Sequence, residues 1–373
     1  MIDFDKLSIL ELIRDQEGWR QLISSPPYNV KLKEDGDLAI LKYNQIKSKR
    51  CKLTSSCRGC IIDTPKLEYV CRPFERFFNH GEVEASIIDW AGVLAREKAD
   101  GSIIKVFHHK GAWRIATNNT INAFNAELSL PFTSDEGFSV TSFGALFINT
   151  MMVNYNIQSF EFLDGLEDET AIFELCTPSN RVVVRYGSPK IFYLSSKNNL
   201  TGEEFQHDAI SSLVDTPKEY SIGSLEECIE LVETFGADKE GLVVNDKHFN
   251  RIKIKSNFYI NLHHMRGEGA FTYKRALDII RSNEIAEVLT YFPEFESVLI
   301  EVKNKYEDIL TEAKQVMFEI SNYPDEVLND RKAFAGLVTK TDFADMCFTW
   351  LDKKITVEEY FENTPSDKLL GRM

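Results

Sequence analysis

Lys98-Ala99-Asp100-Gly101-Ser102 places a lysine two residues ahead of an Asp-Gly turn, at the end of the apolar run Ala91-Gly92-Val93-Leu94-Ala95. Asp-Gly is a common hairpin turn, so the pentapeptide alone also reads as a surface lysine beside a bend. The chemistry such a lysine could perform is nucleophilic attack. Its amine, with an unperturbed pKa of about 10.4, attacks only where burial or neighbouring positive charge disfavours the cation. If the electrophile is phosphorus, the site also needs cations for phosphate oxygens, carboxylates for a metal, and a neutralised leaving group.

Further along the chain, Arg251-Ile252-Lys253-Ile254-Lys255 alternates charged and apolar residues. A strand with this pattern carries Arg251, Lys253 and Lys255 on one face and the isoleucines on the other. That suits the floor of a phosphate pocket, and equally an ordinary solvated sheet face. Two carboxylates sit in short β-like runs: Glu174 within Ala171-Ile172-Phe173-Glu174-Leu175, and Glu240 opening Glu240-Gly241-Leu242-Val243-Val244. A carboxylate in an apolar strand is costly unless paired or beside a metal. A salt bridge at a strand end is the alternative reading of each.

Taken in order, Lys98-Ala99-Asp100-Gly101, Phe173-Glu174, Glu240-Gly241 and Lys253-Ile254-Lys255 resemble the successive motifs of the covalent nucleotidyl transferases, the polynucleotide ligases and mRNA capping enzymes. Cys57-Arg58-Gly59, Arg72-Pro73-Phe74-Glu75-Arg76-Phe77-Phe78-Asn79, Thr177-Pro178-Ser179-Asn180-Arg181, Asn199-Leu200-Thr201-Gly202-Glu203 and Lys255-Ser256-Asn257-Phe258-Tyr259 narrow the likeness to the ATP-dependent RNA ligases of the T-even phage tRNA-repair type. The resemblance spans about residues 37 to 264 and is much weaker beyond. It implies a three-step reaction: Lys98 takes AMP from ATP, AMP passes to an RNA 5′-phosphate, and a 3′-hydroxyl seals the strand. It assigns phosphate binding to Arg58, Arg76, Lys253 and Lys255 and places Tyr43 beside the triphosphate. Glu174 would take the ribose hydroxyl, Glu240 would organise metal-bound water, and Leu194 and Val243 would sandwich the adenine. Lys253 and Lys255 would lower the Lys98 pKa. Asp100 and Glu284 are the expected contacts to Mg²⁺ or Mn²⁺. The implied partners are RNA ends carrying 5′-phosphate and 3′-hydroxyl, such as cleaved tRNA, and an end-healing kinase-phosphatase, in the cytoplasm of a phage-infected host if phage-encoded.

The chain departs from the family pattern in two places. Arg76 stands where lysine is usual before Phe-Phe-Asn. The strand that normally bears two lysines for pyrophosphate reads Ala116-Thr117-Asn118-Asn119-Thr120, which leaves Arg114 as the expected substitute. These losses keep open a non-catalytic RNA-binding or phage-assembly role. A DNA ligase or capping-type transferase is the rival enzyme.

These residues need elements to hold them. With 373 residues and 43% hydrophobic content, the chain can form two domains with a sizeable core. The expected fold is an α+β nucleotidyl transferase domain with antiparallel sheets over 1–264, followed by an all-helical domain over 265–373. Periodicity predicts helices near 5–24, 143–153 and 224–235, then 273–282, 295–323 and 342–353 in the tail. A β-barrel tail, as in DNA ligases and capping enzymes, would need alternating strands that this tail lacks. No long apolar run predicts a membrane span, and the acidic start Met1-Ile2-Asp3-Phe4-Asp5-Lys6 lacks a leader pattern, so a cytoplasmic protein is expected. A net charge of −15 argues against broad nucleic-acid affinity but leaves room for a local groove near Lys47, Lys49, Arg50, Lys52 and Arg58. Of the seven cysteines, Cys57 and Cys60 have ligand spacing, yet a second such pair is missing, so reduced buried thiols are expected instead of zinc.

Overall fold

The computed structural model of the protein describes all residues except 1–2, 45–46, 134–138, 237, 258, 261–270, 282–284, 286–287, 290–291 and 354. Backbone contacts divide the chain into two compact units, Met1–Ile260 and Asn261–Met373. The described strands all fall in the first unit, and the second is helical.

In chain order the strands are β1 (Lys31–Asp35), β2 (Leu38–Lys42), β3 (Arg58–Asp63), β4 (Glu68–Cys71), β5 (Phe78–Asn79), β6 (Leu94–Glu97), β7 (Ser102–His109), β8 (Ala112–Thr117), β9 (Glu127–Thr133), β10 (Ser139–Ser142), β11 (Glu169–Cys176), β12 (Lys190–Asn198), β13 (Glu204–Phe205), β14 (Glu219–Tyr220), β15 (Gly241–Asn245) and β16 (Arg251–Lys255). They form a four-stranded sheet, β1-β2-β3-β4, and two five-stranded sheets, β13-β12-β11-β7-β8 and β14-β6-β15-β16-β5, with β9 and β10 as a separate ribbon. Pairing is antiparallel except between β16 and β5.

Each five-stranded sheet has one apolar face, as a period of two dictates. In the sheet around β11, Ile104, Val106, Ala171, Phe173 and Tyr193 bury themselves beneath helix Phe143–Tyr155, through Leu146, Phe147 and Met151. In the sheet around β15, Leu242, Val244, Ile252 and Ile254 pack with Cys228 and Val232 of helix Leu225–Glu233. The opposite faces are thereby free to carry polar side chains toward a shared cleft.

The N-terminal segment is two helices, Ile9–Asp15 and Trp19–Ser24, where one was expected. A Ser8–Glu11 capping box starts the first, Gln16 leaves helical geometry, and Gly18 caps the second. Glycine is the costliest non-proline residue inside a helix, which explains the break. Ile9, Leu12, Trp19 and Ile23 still bury against Ala39 and Leu41 of the four-stranded sheet.

In the second unit, helix Glu296–Ser321 runs against Tyr273–Arg281 and Val357–Asn363. Phe361 sits edge-on to Tyr306 and tilted against Phe343. Short helices Arg331–Val338, Val357–Asn363 and Ser366–Leu370 were not separable by periodicity, since each spans at most about two turns.

Candidate active site

Lys98 and Ala99 occupy the connection between β6 and β7, where the chain leaves one five-stranded sheet for the other. The two polar faces enclose a cavity of about 290 Å³. One sheet contributes Ile103, Glu174 and Leu194 to its lining, the other Val243, Arg251, Lys253 and Lys255. Tyr43 and Arg58 complete it from the four-stranded sheet. Eight of the residues singled out from sequence therefore meet in one place: Tyr43, Arg58, Lys98, Glu174, Leu194, Val243, Lys253 and Lys255.

Three backbone irregularities aim these side chains. The β2–β3 register shifts at Leu41/Lys42, so that Lys42 lies opposite Arg58. A one-residue slip moves a side chain to the other face, and here the slip turns Arg58 toward the cavity. Gly59 makes it possible: its φ is +81°, and a Cβ there would lie 2.8 Å from the Asn118 Cα. The buried ammonium of Lys105 donates to the Gly59 carbonyl and ties the bulge to β7. In β12, Tyr193 pairs with Phe173 and Ser195 with Ile172, leaving Leu194 as the extra residue that bulges into the cavity lining. Gly241 has φ +151°, and a Cβ would approach the Ile254 carbonyl oxygen to 2.1 Å. Its own carbonyl accepts from the Lys98 backbone N–H at 2.8 Å, which fixes the nucleophile's segment to β15.

The Lys98 ammonium donates to Glu240 at 2.6 Å, and Lys255 reaches the other carboxylate oxygen at 2.9 Å. Burial alone would push the Lys98 amine down, but the charges of Glu240, Glu174 and Asp100 outweigh it and hold the amine above its ordinary range. Burial likewise pushes Glu240 up, and the two lysines overcome it and keep the carboxylate ionised below its ordinary range. This corrects the expectation that Lys253 and Lys255 depress the nucleophile. Of Lys98 and Lys253, it is Lys253 that is depressed, brought to about 7 by burial and by Arg58, Lys98 and Lys255.

The three cations of β16 differ in their partners. Arg251 forks onto the buried Glu204 and covers Phe74 at 4.4 Å. Lys255 holds Glu240. Lys253 has no carboxylate partner among the described residues and lies 5.1 Å from the Phe77 ring centre. Glu174 accepts from the Gly101 N–H at 3.2 Å and is raised to about 7, burial and Glu240 prevailing over Lys98 and Arg58. Arg76 does not line the cavity. Its guanidinium stacks 4.5 Å from Tyr43 and 5.0 Å from Phe78, with a buried Nη1 that has no protein partner.

Asp100 is placed differently from its expected metal role. Its carboxylate accepts from the backbone N–H groups of Val183 and Val184 and from the Tyr259 hydroxyl at 2.8 Å, and it does not line the cavity. Those bonds clamp the turn after Lys98. Glu284 lies outside the described residues, as does the expected domain boundary at 264/265. Arg114 is exposed on β8, opposite Phe107, and is absent from the cavity lining. Among the described residues no three His, Cys, Asp or Glu side chains converge on a metal-sized site, so the cysteines form no zinc cage there. Lys105 was missed from sequence, although a lysine inside the apolar run of β7 was a visible signal.

The cavity combines apolar walls with several cations, of which Lys253 has no paired carboxylate among the described residues, and this fits a nucleotide. Lys253 and the orphaned Arg76 nitrogen suit phosphate oxygens. With few carboxylates converging, a bound metal would take its remaining ligands from phosphates and water, the usual habit of Mg²⁺.

A family model described as RNA ligase matches residues 56–259. A putative bifunctional polynucleotide kinase/RNA ligase from Autographa californica nuclear polyhedrosis virus is 31% identical over 290 residues, covering 73% of this chain and 40% of the relative. A putative RNA ligase from Thermovibrio ammonificans is 26% identical over 259 residues, covering 65% of this chain and 61% of the relative. The chain thus spans less than two thirds of the length of either curated relative. Among solved structures, an archaeal ATP-dependent RNA ligase aligns over 93% of this chain and 99% of its own, with 13% identity and a TM-score of 0.45. With its family motifs gathered around one cavity and the family match covering more than half its length, the chain belongs to the RNA ligase family.

Proposed function

We propose that the protein is an ATP-dependent RNA ligase that joins 5′-phosphate and 3′-hydroxyl ends through lysyl-AMP and RNA-adenylate. The observation that carries this reading is the placement of Lys98 at the cleft between the sheets, hydrogen-bonded to Glu240 and surrounded by Arg58, Lys253 and Lys255. Leu194 and Val243, one from each sheet, hold the adenine, and Glu174 takes a ribose hydroxyl. Arg58, Lys253 and Lys255 bind phosphates, with Arg76 and Tyr43 at their edge.

The Lys98 ammonium gives up a proton to solvent, and the neutral amine attacks the α-phosphorus. A P–N bond forms, the bond to the β-phosphate oxygen breaks, and pyrophosphate leaves with the electron pair. The oxygen of an RNA 5′-phosphate then displaces Lys98, which regains a proton. An RNA 3′-hydroxyl attacks the activated 5′-phosphorus, and AMP leaves. When bound, Mg²⁺ or Mn²⁺ would supply positive charge that neutralises the phosphates and favours the neutral amine. Glu240 holds Lys98 and Lys255 in register, and Asp100 positions the Lys98 turn. The helical unit selects the RNA. Cleaved tRNA is the preferred substrate class, and the kinase named in the viral relative supports cooperation with an end-healing activity. No helix among the described residues is long and apolar enough to cross a membrane, and we place the activity in the cytoplasm.

The test is incubation with labelled ATP or GTP and Mg²⁺, followed by a denaturing gel. Label should enter the protein from ATP alone. Lys98→Ala and Lys98→Arg should take up none, the latter because a guanidinium stays protonated. Label from GTP alone would favour a capping-type transferase. Label from neither would leave a binding role.

A further inference from the structure

The first three strands carry a row of cations at one register level. Lys31 of β1 lies opposite Lys42 of β2, and Lys42 lies opposite Arg58 of β3. Lys33 stands on the same face as Lys31, two residues on. Like charges directly across a sheet are destabilising, so such a row persists where something offsets it. Arg58 faces the Glu174 carboxylate across the cavity, but among the described residues no carboxylate pairs with Lys31, Lys33 or Lys42. Lys42 donates to the Asn119 side-chain oxygen at 2.5 Å, and Lys33 to the Asn119 backbone carbonyl at 3.3 Å, both neutral acceptors. The acids of this hairpin are engaged elsewhere or distant: Glu34 binds Arg20, Asp37 binds Lys110, and Asp35 is at the far end opposite Leu38. Burial, with Lys31, Lys105, Arg58 and Lys33, also pushes the Lys42 amine down, as expected for cations awaiting an anion.

The row begins at the cavity, since Arg58 lines it and Lys42 is the cross-strand partner of Arg58. Strands are about 4.8 Å apart, so the three cations span only about 10 Å. That compactness, and the half-buried position of Lys42, match a short polyphosphate better than an extended RNA backbone. The end of β8 and the turn that follows offer no cation at Ala116, Thr117, Asn118 or Asn119. We propose that Lys42, flanked by Lys31 and Lys33, forms with Arg58 a pyrophosphate subsite that receives the β- and γ-phosphates and releases them as the leaving group. Its role in the reaction rests on the ligase reading above; its existence as a polyphosphate site does not.

The probe is inorganic tripolyphosphate, titrated calorimetrically into the full-length protein at one ionic strength, with single-stranded RNA measured in parallel. Loss of one charge-assisted contact should weaken tripolyphosphate binding about tenfold or more in Lys42→Ala and in the Lys31→Ala/Lys33→Ala pair. Lys42→Arg should restore most of it, which separates lost contact from misfolding. Lys66→Ala, an exposed lysine outside the row, should change it less than about twofold. Lysyl-AMP formation should fall with the lost affinity. Unchanged tripolyphosphate binding in Lys42→Ala, with normal adenylylation, would overturn the subsite and leave the ligase reading intact. Lys42-dependent tripolyphosphate binding in a protein that forms no lysyl-AMP would support the subsite and overturn the ligase reading. A loss confined to RNA would assign the row to the RNA backbone and overturn the proposal.

Discussion

Replacing Glu174 by glutamine should stabilise the folded protein at neutral and alkaline pH. Glu174 is 8% exposed on β11 and accepts one backbone N–H, from Gly101. Burial raises it from an ordinary 4.5 to about 7, with Glu240 and Asp100 adding to the rise and Lys98 and Arg58 opposing it. The folded state therefore binds this proton more tightly than the unfolded chain does. Stability from the neutral acid is fully present below the unfolded value and is lost as pH rises through about 7. The gap between 4.5 and about 7, at about 1.4 kcal/mol per pH unit, amounts to about 3 kcal/mol. Glutamine has the same shape, keeps an oxygen for the Gly101 N–H and never ionises. Denaturant unfolding of both proteins should give a difference near zero at about pH 4 that grows to about 3 kcal/mol in favour of Glu174→Gln at about pH 8. Adenylylation should fall in the same variant, because a neutral amide is a poorer acceptor for a ribose hydroxyl than a carboxylate. A difference that does not vary with pH, or a variant less stable at about pH 8, would refute the reasoning.

Gly241→Ala should destabilise the protein by about 2 kcal/mol or more and suppress lysyl-AMP formation, since its Cβ collides with β16 beside Glu240; unfolding and gel labelling check both. Adenylylation should require Mg²⁺ or Mn²⁺ and survive a zinc chelator, because the described cysteines build no metal cage; arrest by chelation in saturating Mg²⁺ would contradict this. Removing residues after about 264 should leave adenylylation detectable, since the cavity-lining residues all precede it, while reducing any preference for broken tRNA loops over plain single strands. The two RNA substrates are compared at one salt concentration, because charge-driven binding shifts with salt.

Much of this protein was legible in its sequence because the relevant information is local. Alternation in Arg251-Ile252-Lys253-Ile254-Lys255 assigns the charged and apolar faces of β16, and the same period separates Glu174 from the core residue Phe173. Helical periodicity located Phe143–Tyr155, Leu225–Glu233 and the long helix Glu296–Ser321, and motif order brought out the residues that line the cavity. Other features depended on chain segments far apart in sequence. The bulges that expose Arg58 and Leu194 follow from strand register, which a single strand does not specify. The hydrogen bonds that hold Asp100 come from Val183, Val184 and Tyr259, more than eighty residues away. The proton affinity of Lys98 turned out opposite to expectation because it depends on distances. Glu240 lies 2.6 Å from Lys98, whereas Lys253, half-buried and without a paired carboxylate among the described residues, is dominated by burial and by Arg58, Lys98 and Lys255. The row Lys31, Lys42, Arg58 is likewise invisible in sequence, where its members lie 11 and 16 positions apart, and exists only once three strands pair. Sequence sets residue types and local period; which charges come within a few ångströms of one another, and so what they can do, is decided by tertiary packing.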